Sequence, residues 1–92
     1  MIKDKCVLTV DDSATIRMFL RAILTSHGAK VTEAATGAEA CQLFREGNRF
    51  DLILLDLILP DSDGIDVLRQ LRATDNESPV VCLLYTSPSP RD

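Results

Sequence analysis

The amino-acid sequence predicts an α/β domain built around a parallel sheet, and three observations carry that prediction. Short apolar runs alternate with helical periodicities along the chain. The run Leu52-Ile53-Leu54-Leu55 is uniformly apolar, as in a strand covered on both faces, instead of alternating apolar with polar. Strand and helix follow one another singly, which favours βαβ units with right-handed crossovers. At 92 residues and 46% apolar content the chain can bury one core, so a single domain is the ceiling.

The elements follow in order. The first strand spans about Lys5 to Val10. A helix runs from about Ser13, where Ile16, Phe19, Leu20, Ile23 and Leu24 recur at the spacing of one buried face, and Gly28 stops it. Lys30 to Ala34 form the second strand. Thr36-Gly37-Ala38-Glu39 reads as a capping box opening the second helix, whose core side carries Ala40, Leu43 and Phe44 and which Gly47-Asn48 closes. The third strand covers Asp51 to Asp56, and the loop Leu57 to Asp63 leads to a third helix with Asp63 as N-cap and Ile65, Leu68 and Leu71 facing inward. Pro79-Val80-Val81 begins the fourth strand. Beyond it, Tyr85 to Asp92 has turn and polyproline composition that suits neither a buried strand nor an amphipathic helix.

Composition excludes several classes of function. The net charge of −4 offers no basic footprint for direct nucleic-acid binding. Cys6, Cys41 and Cys82 lack metal-ligand spacing and read as reduced thiols, with no disulfide frame. No apolar signal core opens the chain, and no run approaches the ~18 residues of a membrane span. A soluble, cytoplasmic protein without membrane contact is expected.

The chemistry concentrates in carboxylates. Asp56 is the single charge inside the apolar run Leu52 to Leu59, and burying it bare would cost several kcal/mol or more, so it belongs at the strand's C-terminal end, where open α/β sheets place their ligands. The first strand ends the same way, in Asp11-Asp12. If the three lie within about 5 Å, each like-charged pair repels by about 3 kcal/mol at an effective dielectric near 20. Such a cluster requires a cation or a raised pKa. Carboxylates with a main-chain carbonyl and water suit octahedral Mg2+, and nothing nearby offers the His or Cys ligands that zinc prefers. The plainer reading, in which Asp12 or Ser13 caps the first helix and Asp11 is solvated, explains one strand end but not both. His27, the sole histidine, reads as a helix C-terminal residue meeting the dipole, and Arg17 as solvated or ion-paired.

Three stretches, Val10-Asp11-Asp12-Ser13-Ala14-Thr15-Ile16-Arg17, Phe50 to Asp56 and Leu59-Pro60-Asp61-Ser62-Asp63-Gly64, resemble in order and spacing the receiver domain of two-component response regulators, the CheY-like family. The resemblance implies a flavodoxin-like, doubly wound parallel sheet of order 2-1-3-4, with the family's fifth strand missing here. It implies a phosphoacceptor in a phosphorelay: Asp56 takes a phosphoryl group from a sensor histidine kinase or a histidine phosphotransfer protein. Asp12 is then a direct Mg2+ ligand, Asp11 a ligand through water, Asp56 and the main-chain carbonyl of Ile58 further ligands, while Pro60 and Gly64 shape the loop. The domain is no enzyme in the ordinary sense, and an output domain or a phosphorylation-dependent partner reads its state.

The chain departs from the family pattern late. The hydroxyl expected at the end of the fourth strand falls on Leu84, Thr86 lies two residues further on, and no fifth-strand lysine follows. Cys82 to Asp92, CLLYTSPSPRD, resembles a translated reading frame of a transposon-based sequencing adapter, so 1–81 is read as a partial receiver domain and 82–92 as a non-native or disordered tail. A marginally stable domain is expected on that reading. Two rival functions remain: a degenerate receiver acting as a protein-binding module, and a haloacid dehalogenase-like phosphoesterase. The second is opposed by Ile58, where an Asp-x-Asp motif needs aspartate.

Overall fold

The computed structural model describes residues 3–57, 59, 64–74 and 78–83. The elements, in chain order, are β1 (Cys6–Val10), α1 (Ala14–Ser26), β2 (Lys30–Ala34), α2 (Gly37–Arg45), β3 (Leu52–Asp56), α3 (Gly64–Thr74) and β4 (Val80–Leu83). The sheet is parallel throughout, in the order β2-β1-β3-β4 that the family resemblance implied. Strand order reverses between β1 and β3, the chain adding β2 on one side of β1 and β3 on the other, which makes their C-terminal ends the topological switch point. The fourth strand includes Cys82 and Leu83, which pair with Leu55 and Asp56.

Pairing register sorts the strand residues onto two faces. Leu8, Val10, Ala34, Ile53 and Leu55 share one buried cluster with Ala40, Cys41 and Phe44 of α2 and Val67 and Leu71 of α3. Strand alternation then places Val7, Thr9, Glu33, Leu52 and Leu54 on the other face. Arg17 and Arg21 of α1 bond Glu33, so α1 covers this second face. No described helix is long and apolar enough to cross a membrane.

Helix ends follow local chemistry. Ser13 caps α1 by accepting the Ile16 N–H at 3.3 Å, and Thr36 caps α2 by accepting the Glu39 N–H at 3.1 Å. The Glu39 carboxylate returns to the Ala35 N–H at 2.8 Å, completing the box in a shifted form. At the end of α1, Gly28 adopts φ +89, its N–H reaches Thr25 O at 2.9 Å, and the Ala29 N–H reaches Leu24 O at 3.1 Å, the pattern of a Schellman stop. Gly47, at φ +88, ends α2 in the same way.

Three sequence expectations need correction. Phe19 and Ile23 were expected in the buried face of the first helix but are 62% and 42% exposed, while Ile16, Leu20 and Leu24 are half-buried. At about 100° per residue, Arg17 and Arg21 lie on the flank toward β2 and Phe19 and Ile23 on the flank away from it, where no described helix packs. Ile65 was expected to face inward and is 41% exposed. Leu68 and Leu71 face inward as expected, and Gly64 and Val67 complete the inner side of α3 in place of Ile65, a glycine with no side chain occupying its first position. Leu52 and Leu54 were expected to be fully buried and are half-buried, since they lie on the α1 face. Asp63, expected as the third helix's N-cap, lies outside the described residues.

Candidate functional site

The register that pairs Val10 with Leu55 carries Asp11 alongside Asp56 one step further on, at the C-terminal ends of the two central strands. Asp11 continues the ladder by donating its N–H to Ala34 O at 3.0 Å. Its side chain folds back so that Oδ1 accepts the Ser13 N–H at 2.9 Å. Its main-chain carbonyl accepts from Arg17 Nη1 at 2.6 Å. The turn from β1 into α1 is therefore held at three points, and the residue it immobilises is 2% exposed. Asp56, the last residue of β3, is 6% exposed, while Asp12 is exposed.

These placements bring the three carboxylates together. Asp11, Asp12 and Asp56 each offer an oxygen, all within 4.8 Å of one another, as the sequence anticipated. Asp11 Oδ2 is buried and has no hydrogen-bond partner among the described residues. An unsatisfied buried acceptor costs ~1–3 kcal/mol, more when charged, and each like-charged pair adds about 3 kcal/mol at an effective dielectric near 20. A small cation would offset both costs at once. The all-oxygen donor set suits a hard divalent ion, and these three residues could hold one.

Gly64 fixes the other wall. Its N–H donates to Leu57 O at 3.0 Å, and a Cβ at this position would lie 2.5 Å from Leu57 Cα and 2.7 Å from Asp56 O. The first turn of α3 thus packs directly on the peptide that follows Asp56. Only glycine permits that approach. Ile58 and Pro60, whose roles the resemblance implied, lie outside the described residues, as do Leu84 and Thr86.

A profile of the response regulator receiver domain matches residues 7–89. The chain belongs to this family. Transcriptional regulatory protein ResD of Bacillus subtilis (strain 168) is 44% identical over 77 residues, 84% of this chain and 31% of that protein. Response regulator MprA of Mycobacterium sp. (strain KMS) is 40% identical over 77 residues, again 84% of this chain, and the chain spans only 33% of its length. Among solved structures, the chemotaxis protein CheY4 of Vibrio cholerae superposes with a TM-score of 0.81 at 33% identity, covering 92% of this chain and 72% of the other. A CheY-like receiver domain from Methanospirillum hungatei JF-1 gives a TM-score of 0.85 at 30% identity, covering 94% and 69%.

In this receiver domain the two residues set aside from the chemistry behave as the sequence suggested. His27 is the C-cap of α1, its Nδ1 lying 3.0 Å from Ile23 O, and Arg17 is ion-paired. The partner of Arg17 was missed. Glu33 takes Arg17 Nε at 3.0 Å on one oxygen and Arg21 Nη1 at 2.5 Å on the other. The Arg21 hydrogen bond chiefly holds the Glu33 carboxyl below its ordinary range, against the opposing pull of burial, with Arg17 adding to the lowering. Glu33 stands 16 residues from Arg17, and the only signal for it was a charge at a position of β2 flanked by Thr32 and Ala34.

Proposed function

We propose that this receiver domain accepts a phosphoryl group on Asp56 from a phosphohistidine of a sensor histidine kinase or histidine phosphotransfer protein. The observation that carries the reading is the clustering of three carboxylates within 4.8 Å, one of them belonging to Asp11, whose Oδ2 is buried and unpartnered among the described residues. Asp11, Asp12 and Asp56, with the main-chain carbonyl of Ile58, would hold Mg2+, which when bound supplies neutralisation of charge on the carboxylates and the phosphoryl oxygens. Asp56 attacks phosphorus through a carboxylate oxygen. The P–N bond breaks, its electron pair returns to the imidazole, and an acyl phosphate remains on Asp56. Water later cleaves that acyl phosphate and restores the carboxylate. Asp56 is suited to attack because the end of β3 and the packing of Gly64 against its carbonyl fix its main chain. Such a domain works in the cytoplasm, and a partner or output domain responds to its phosphorylation.

Incubation with Mg2+ and acetyl phosphate is expected to give hydroxylamine-sensitive phosphate on the wild-type protein and none on Asp56→Asn. Undiminished labelling of Asp56→Asn overturns the assignment. A wild-type protein that binds a histidine phosphotransfer partner yet takes no label supports the binding-module reading instead.

A further inference from the structure

We infer that Arg17, held in place by Glu33, is a positioning residue for the acidic site. The inference rests on the reading of that site as a divalent-cation site. Arg17 sits on the first turns of α1 with its side chain 17% exposed and joins two elements: Nη1 donates to the Asp11 carbonyl at 2.6 Å and Nε to Glu33 on β2 at 3.0 Å. The guanidinium is a rigid fork, so fixing Nε on Glu33 aims Nη1 at Asp11. A lysine ammonium is a single point and has no such fixed second arm.

The consequence lies in what remains of Asp11. Its N–H is taken by Ala34 O, its carbonyl by Arg17 and its Oδ1 by the Ser13 N–H, which leaves Oδ2 as the one acceptor with nothing bound to it among the described residues. Every other polar atom of the residue is occupied, and these bonds fix the carboxylate that offers an oxygen within 4.8 Å of those from Asp12 and Asp56. Release of the carbonyl would let the turn at residues 11–13 relax and let the Asp11 carboxylate swing out of the cluster. Glu33 has a second duty. A guanidinium bound to the Asp11 main-chain carbonyl is itself a candidate counter-ion for the carboxylate cluster, and its bond to the Glu33 carboxylate ties it to β2. Arg21, 53% exposed, holds the other Glu33 oxygen from outside and makes no hydrogen bond or ion pair to Asp11, Asp12 or Asp56 among the described residues.

Charge and position make opposite predictions for Arg17, which is what makes the inference testable. If Arg17 acted only through its charge, its removal would tighten binding of a cation. If it positions Asp11, its removal weakens binding. Titration of the intact chain with Mg2+, followed by the amide NMR shifts of Asp12 and Ser13, reads affinity without any phosphotransfer. Arg17→Gln is expected to raise the Mg2+ Kd about tenfold, the low end for an outer-shell partner. Arg17→Lys should fall between it and wild type. Glu33→Gln should weaken binding in the wild-type background but change it by no more than about twofold when added to Arg17→Gln, since it acts through that residue. Arg21→Gln, which breaks the exposed half of the same network, should leave affinity within about twofold of wild type.

Tighter or unchanged Mg2+ binding by Arg17→Gln, with wild type binding normally, overturns the positioning role and leaves the cation site standing. Loss of affinity in Arg21→Gln in proportion to its loss of urea stability overturns it too, because the network would then be merely structural. If Arg17→Gln does not fold, Arg17→Lys carries the same test through the retained charge. No saturable Mg2+ shift in the wild-type protein removes the site reading and this inference with it.

Discussion

The two faces of the sheet are built differently. On the face covered by α2 and α3, Leu8, Val10, Ile53 and Leu55 pack against Ala40, Phe44, Val67 and Leu71 with no charged group among them. On the face covered by α1 alone, Val7 and Thr9 are fully buried, but Leu52 and Leu54 are only half-buried, Val81 and the Phe19 flank of the helix are exposed, and the helix is tied to the sheet through Arg17, Arg21 and Glu33. One face is held by apolar packing, the other by a few apolar contacts and an ionic clasp. The acidic site lies where the two meet, at the strand ends. Its Asp56 side is set by α3 through Gly64 and its Asp11 side by α1 through Arg17. The two halves of the site are therefore positioned from different faces of the sheet and can be separated by mutation.

The sharpest separation is in the core. Leu55→Ala or Phe44→Ala on the closed face is expected to cost ~2–5 kcal/mol through lost burial and an unfilled cavity. Phe19→Ser or Ile23→Ser on the open flank of α1 should stay within about 0.5 kcal/mol, as substitutions away from packed features usually do. Urea midpoints for the set measure both. Equal losses on the two faces would mean that α1 packs far more tightly than its exposure indicates.

A cation should then offset the cost of the site. Without Mg2+ the clustered carboxylates repel, so ligand binding adds its full mass-action term, about 2.7 kcal/mol at a hundredfold excess over Kd. Wild type is expected to melt higher with Mg2+ by that amount, and Asp12→Ala to gain much less. Calorimetric melts with and without Mg2+ check this. An equal rise in both proteins would mean that the ion binds somewhere else.

The α3 side of the site has its own probe. A methyl group at position 64 has to displace the Leu57 backbone from 2.5 Å, and backbone gives less readily than a side-chain tip. Gly64→Ala is expected to cost ~1–3 kcal/mol, the usual range for overpacking. It should also move the amide shifts of Asp56 and Leu57 while leaving those of Asp11 and Ser13 in place. If all four move together, the two halves of the site are not positioned independently.

How much of this was legible in the sequence depends on how local each signal is. Strand bounds, the start of the first helix near Ser13, the stops at Gly28 and Gly47 and the cap at Thr36 came through almost to the residue, because each is decided by neighbours within one turn of chain. The acidic cluster was legible because a charge ending an apolar strand has few places to go, and two such strands that lie side by side bring their ends together. The α3 stripe was misread at Ile65 because a hydropathy pattern gives no weight to Gly64, although the glycine occupies the most tightly packed place in it. Phe19 and Ile23 were misread because periodicity shows which side of a helix is apolar, not how wide a stripe its neighbours cover. Glu33 was missed for a deeper reason: nothing in Lys30-Val31-Thr32-Glu33-Ala34 distinguishes a solvated charge from one that clasps a helix formed earlier in the chain.

The smallest expected effect tests that clasp. The Glu33 carboxyl is held below its ordinary value of 4.5, first by the hydrogen bond from Arg21, so its ionised form is favoured by folding. A group depressed in this way contributes stability above its unfolded pKa and loses it as pH falls through the folded value. Glu33→Gln keeps the shape and removes the charge, and a protonated Glu33 closely resembles it. Wild type should therefore exceed Glu33→Gln by a steady ~0.2–1 kcal/mol above about pH 5, the usual worth of a solvent-screened pair, and the two should converge as the pH approaches about 3. Raised salt should shrink the gap at neutral pH, because the pair is partly exposed. Urea midpoints across this pH range supply the measurement. A gap that persists unchanged at pH 3 would show that Glu33 holds α1 by packing or by a neutral hydrogen bond, and that the second face is not ionically clasped at all.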